Sequence, residues 1–74
     1  MNRLPTLTPR KVVAALKRAG FAEDRQHGSH LYLWHSVRGV GVTIPMHARD
    51  LPRGTLKAIL AQAGLTEDDL RRLL

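Results

Sequence analysis

Residues 30–45 run His30-Leu31-Tyr32-Leu33-Trp34-His35-Ser36-Val37-Arg38-Gly39-Val40-Gly41-Val42-Thr43-Ile44-Pro45. Two apolar-rich segments of strand length are separated by a polar turn that ends in glycine, and a proline stops the second segment. Side chains alternate across a strand, so Leu31, Leu33 and His35 share one face while His30, Tyr32 and Trp34 share the other. In the second segment, Val40, Val42 and Ile44 take one face and Gly41 and Thr43 the opposite one. Upstream, His27-Gly28-Ser29 reads as another turn, and residues 21–26 as a preceding strand with the poor strand formers Glu23 and Asp24 in its middle. Three strands joined by short turns make an antiparallel meander.

Helices flank it. Thr8-Pro9 opens the first, because a threonine hydroxyl caps orphan N–H groups and proline fits the first helical position. Val12, Leu16 and Ala19 recur at helical spacing, with Val13 and Ala15 broadening the stripe, and Gly20 stands where the helix should stop. The spacing predicts a helix over residues 9–19. Its far side carries Arg10, Lys11, Lys17 and Arg18, which suits either a phosphate-tracking ridge or an ordinary solvated face. Met46 to Leu51 reads as a loop holding His47, Arg49 and Asp50. A second helix starts near Pro52, with Asp50 or Leu51 as its N-cap, buries Leu56, Ile59, Leu60 and Ala63, and ends at Gly64. Thr66-Glu67-Asp68-Asp69 resembles a capping arrangement for a short last helix reaching Leu74. The fold class is α+β, with both main helices on one face of the sheet and the other face open to a partner.

The chain has 74 residues and no cysteine, which argues for one domain over residues 1–74 and removes disulfides, thiolate metal sites and a cysteine nucleophile. No apolar run is long enough to span a membrane, and Met1-Asn2-Arg3-Leu4-Pro5 lacks a signal-peptide core, so a cytoplasmic location is expected. The formal charge is +6, and residues 1–65 carry ten of the twelve basic side chains against three of the six acidic ones. Such a field attracts polyanions, whether nucleic acid, an anionic membrane or an acidic protein, and it also suits an ordinary solvated surface.

Four histidines invite a metal reading, but His27 and His30 are three apart, and residues at that interval in a strand point to opposite faces, so the pair would need a turn geometry to converge. No carboxylate sits at a recognised ligand spacing, so no metal or other cofactor is expected. Phosphate-binding glycine loops and serine nucleophile elbows are missing as well. Gly28-Ser29-His30 is the more informative unit. The glycine permits a turn and close approach of a ligand, and an imidazole at a sheet rim can move a proton near neutral pH. His30, Tyr32 and Trp34 on the open face would suit unpaired bases, unless the aromatic rings pack in the core instead.

The ordered set of Gly20-Phe21, Gly28-Ser29-His30, Val42-Thr43-Ile44-Pro45, Asp50-Leu51-Pro52-Arg53-Gly54-Thr55-Leu56 and Ile59-Leu60-Ala61-Gln62-Ala63-Gly64-Leu65, behind a leading helix, resembles the HicA toxin family. The resemblance covers about residues 8–65. It implies a double-stranded-RNA-binding-domain-like α-β-β-β-α fold and an mRNA interferase, an RNA endonuclease that cuts transcripts and arrests translation. It also implies a HicB antitoxin as partner, with the toxin a monomer when free or part of a hetero-oligomer when bound. The family's catalytic histidine falls on His30 and its adjoining glycine on Gly28.

On that footing His30 is the expected base that activates the RNA's own 2′-hydroxyl. Gly28, Ser29, Arg25, Arg49, Arg53 and Lys57 are the expected RNA-binding residues, the cations serving to steady charge on the phosphate. His27 or His47 is available to protonate the leaving oxygen. The backbone N–H groups at Pro52-Arg53-Gly54-Thr55 offer a phosphate seat. Two alternatives use the same charge without chemistry: a non-catalytic RNA-binding module, and a domain whose basic face meets an acidic protein.

Overall fold

The computed structural model describes residues 4–47 and 49–74. Its elements run α1 (Pro9–Arg18), β1 (Ala22–His27), β2 (His30–His35), β3 (Val40–Pro45), α2 (Arg53–Ala63) and α3 (Glu67–Leu73). The strands form one antiparallel sheet in the order β1-β2-β3. With an open sheet face, this is the double-stranded-RNA-binding-domain-like α-β-β-β-α arrangement, extended by α3.

Strand alternation decides the layering. Leu31, Leu33, Val42 and Ile44 point to the helix side and are buried with Val12, Leu16, Leu56 and Ile59. Each fully buried aliphatic side chain of this kind contributes roughly 1.5–3 kcal/mol by leaving water. Both α1 and α2 pack against β3. Thr8 caps α1 through its hydroxyl, which accepts from the Lys11 N–H at 3.3 Å. The chain then turns so that Phe21 enters the core just before β1, its N–H bonded to the Leu16 carbonyl at 3.0 Å.

Several boundaries differ from the expectation, each for a physical reason. β1 runs Ala22–His27, one residue later than expected, because Phe21 is spent on the core. All six of its residues are exposed, so it is an edge strand held by its ladder to β2 and guarded by charge. The register shifts between Glu23 and Arg25, and the bulge absorbs Asp24, the poorest strand former there. β3 includes Pro45, since the edge of the sheet tolerates a missing N–H. The N-cap of α2 is Pro52, with no side-chain cap, rather than Asp50 or Leu51. Leu51 is drawn into the core, and its N–H bonds the Leu7 carbonyl at 2.8 Å. Leu4 and Leu7 are themselves buried, so the segment before α1 is part of the core.

The last helix is integral too. Leu70 is fully buried, and the Arg18 guanidinium donates to the Leu73 carbonyl at 2.6 Å. Its capping box is complete: the Asp69 N–H donates to the Thr66 hydroxyl at 3.0 Å, and the Thr66 N–H donates to the Asp69 carboxylate at 2.9 Å. That backbone donor, followed by the Thr66 side chain, holds the Asp69 carboxyl below its ordinary range. Acidic residues in the first turn and Arg71 and Arg72 in the last pair within the helix, so α3 is nearly self-neutralised.

Candidate active site

The site grows from the tight turn between β1 and β2. His27 and His30 face each other as the last pair of the ladder, leaving Gly28 and Ser29 as a two-residue connection. Gly28 has φ of 62°, a conformation that a glycine-first hairpin turn requires and that other residues resist. The space a side chain would fill at Gly28 is open. The Gln26 amide donates to the Gly28 carbonyl at 3.2 Å, and the Met46 N–H donates to the Ser29 carbonyl at 2.7 Å. The second bond carries the ladder one step beyond β3 and pins the following loop to the turn.

That pinning brings His47 to His30. Their ring centroids are 6.2 Å apart with planes at 70°. Both residues are exposed, and among the described residues neither imidazole has a hydrogen-bond partner. His35 is different. Its Nδ1 accepts from the Arg38 N–H at 3.1 Å, so its Nε2 carries the proton and donates to the Ala19 carbonyl at 3.1 Å. It also stands edge-on to Phe21, with centroids 5.1 Å apart. One histidine is therefore structural, whereas His30 and His47 keep their ring nitrogens free. No cluster of three metal-ligating side chains occurs among the described residues.

The open face extends from this rim. Tyr32 is half-buried and Trp34 is 40% exposed, so neither ring is consumed by the core. Tyr32 lies across β3 above Gly41, where a Cβ would come within 2.1 Å of its hydroxyl. Gly41 thus gives the ring room to lie flat on the sheet. On its other side the Arg25 guanidinium sits 5.1 Å from the ring centroid, a cation–π contact. Arg25, paired with Tyr32 in the ladder, falls on the same face as His30.

The other expected cations are spread more widely. Arg53 is exposed at the start of α2, lining a hollow with Leu4, Thr6 and Asp50, and Lys57 is exposed one turn later. Arg49 is exposed in the loop after β3. With no side-chain cap on Pro52, the first N–H groups of α2 remain available to an anion. The ridge on α1 is partly spent within the protein, because Lys17 pairs with Glu23 at 2.5 Å and Arg18 binds the Leu73 carbonyl. Sequence spacing did not bring His47 to His30, since seventeen positions separate them. The signal was the turn at 36–39: it sets a pairing of His35 with Val40 and hence of His30 with Pro45, which carries His47 just past the rim.

Over residues 9–65 the chain matches the family model described as HicA toxin of bacterial toxin-antitoxin. The match spans most of the chain and includes both the hairpin rim and α2, and the protein belongs to this family. It is a toxin of a toxin–antitoxin system, and an antitoxin is its partner. No curated protein matches the chain significantly. No helix among the described residues is long and apolar enough to cross a membrane.

Proposed function

We propose that this toxin is an mRNA interferase, an endoribonuclease that cuts transcripts and so arrests translation in the cytoplasm. The observation that carries the reading is the exposed His30 imidazole, without a hydrogen-bond partner among the described residues, following the glycine turn at the rim of an open, ring-bearing sheet face. Single-stranded RNA suits that face. A base can stack on Tyr32 or Trp34 while Arg25 meets the backbone, and such stacking contributes roughly 1–3 kcal/mol per base.

In the cleavage step, His30 takes the proton of the 2′-hydroxyl as that oxygen attacks the adjacent phosphorus. Positioned proton transfer of this kind contributes roughly 10²–10⁴-fold. The Gly28-Ser29 turn lets the backbone approach, and the uncapped start of α2 with Arg53, Lys57 and Arg49 supplies positive potential for neighbouring phosphates. The scheme uses only the chain's own residues and the RNA's hydroxyl. A HicB-type antitoxin with an acidic surface would occupy the same basic rim, the toxin being a monomer when free and part of a hetero-oligomer when inhibited. Incubation of the protein with single-stranded RNA in a chelator tests this reading. Salt-sensitive binding that leaves the RNA intact would instead favour the non-catalytic RNA-binding module.

A further inference from the structure

Besides His30 the rim carries two more histidines, His27 and His47, one on each side of it, and the sequence alone does not choose between them as the proton donor. His27 stands on β1 as the ladder partner of His30. His47 follows β3, and its ring meets that of His30 edge to face at 6.2 Å. From this arrangement we propose that His47 is the second catalytic residue, the general acid that protonates the leaving 5′-oxygen. The proposal deepens the reading of His30 as base and rests on it.

An in-line displacement needs one group on the attacking oxygen and another on the departing one, both within hydrogen-bond reach of a single phosphodiester. Two imidazoles in ring contact satisfy that closeness. Both are exposed, and neither has a hydrogen-bond partner among the described residues, so their nitrogens are available to substrate. The bond from the Met46 N–H to the Ser29 carbonyl lies immediately before His47 and immediately before His30, and it fixes the two segments to each other. An interaction that tethers the acid's loop to the base's turn is what positioned catalysis requires.

The proton and bond balance closes without a co-reactant. The 2′-hydroxyl proton passes to neutral His30 as the O2′–P bond forms. The P–O5′ bond breaks, and protonated His47 gives its proton to O5′. The products are a 2′,3′-cyclic phosphate and a 5′-hydroxyl, with His30 left protonated and His47 neutral until solvent resets them.

The test uses an RNA that the wild-type protein cuts, remade with sulfur in place of the bridging 5′-oxygen at the mapped cut. A thiolate leaves without protonation, so loss of the acid is forgiven on this substrate while loss of the base is not. His47→Ala should slow cleavage of the ordinary RNA by roughly 10²–10⁴-fold and cut the sulfur-bridged RNA within a few-fold of wild type. His30→Ala should be slow on both, and His27→Ala near wild type on both. His47→Gln, with an unchanged thermal midpoint, guards against a folding defect. Equal slowing of both substrates by His47→Ala, wild-type cleavage by that variant, or the sulfur rescue appearing in His27→Ala instead would overturn the assignment. If wild type fails to cut any RNA, the interferase reading itself falls, an outcome distinct from wild-type cutting with a silent His47.

Discussion

The imidazoles of His30 and His47 meet edge to face across the end of the sheet, 6.2 Å between centroids. His35, by contrast, has both nitrogens tied to backbone groups, the Arg38 N–H and the Ala19 carbonyl. The same residue type is thus divided between two uses by what surrounds it. At the rim the rings are exposed to solvent; under the sheet the His35 nitrogens join β2 to the end of α1.

His35→Ala should therefore destabilise the fold and spare the chemistry. Losing two hydrogen bonds and the Phe21 contact costs about 1–2 kcal/mol. In a domain this small, that lowers the thermal midpoint by roughly 4–8 °C per kcal/mol. Thermal unfolding and RNA cleavage below the transition check both halves. An unchanged midpoint, or activity lost from the folded protein, would contradict the division.

Gly41→Val should act on the opposite face. A Cβ there would meet the Tyr32 hydroxyl at 2.1 Å, so the ring must lift and take Arg25 with it. The atoms that must move are the outer edge of a half-buried ring, its hydroxyl, Cζ and Cε1, and the stability change should stay within about 1 kcal/mol. Affinity for single-stranded RNA should fall about tenfold, the value of roughly one stacked base. Binding titrations beside thermal melts measure this, and unchanged affinity would remove Tyr32 from the RNA path.

Phosphate contacts predict a salt signature. Binding of single-stranded RNA should weaken linearly in log affinity against log salt, with a slope of about −0.7 per neutralised phosphate. Arg25→Ala, Arg53→Ala and Lys57→Ala should each reduce that slope by about 0.7 if each meets one phosphate. Arg72→Ala, whose guanidinium is paired with Asp69 on α3, should leave it unchanged. Equal slopes in all four would disperse the proposed contact surface.

Asp69 predicts an acid sensitivity. Its carboxyl is held below the ordinary value near 3.8, first by the Thr66 N–H. A depressed folded-state pKa means that this stability is fully present above the unfolded-state value and is lost as pH falls through the folded one. Wild type should lose more thermal stability between pH 7 and pH 3 than Asp69→Asn does. Equal losses would show that the capping box carries no charge-dependent share.

Much of this was legible in the sequence because local rules and tertiary packing agree. The alternation in β2 and β3, the Thr8-Pro9 helix start and the Thr66 capping box each read directly. β1 was harder: an exposed edge strand has no buried face to pattern its side chains, and the bulge at Asp24 breaks the period. The cap at Pro52 and the burial of Leu4 and Leu7 depend on Leu51 being drawn inward, a long-range event. Strand alternation separates His35 from His30 by face, but the backbone partners of His35 and the meeting of His30 with His47 come only with the fold.

If His30 is the base in RNA cleavage, as proposed, the rate of cutting single-stranded RNA by wild type and His30→Ala in EDTA decides it. Wild type should cut in the chelator, leaving 5′-hydroxyl ends. His30→Ala should be slower by roughly 10²–10⁴-fold with an unchanged thermal midpoint, because the side chain is exposed. Cleavage at the wild-type rate by His30→Ala, or loss of wild-type cleavage in EDTA, would remove His30 from that role.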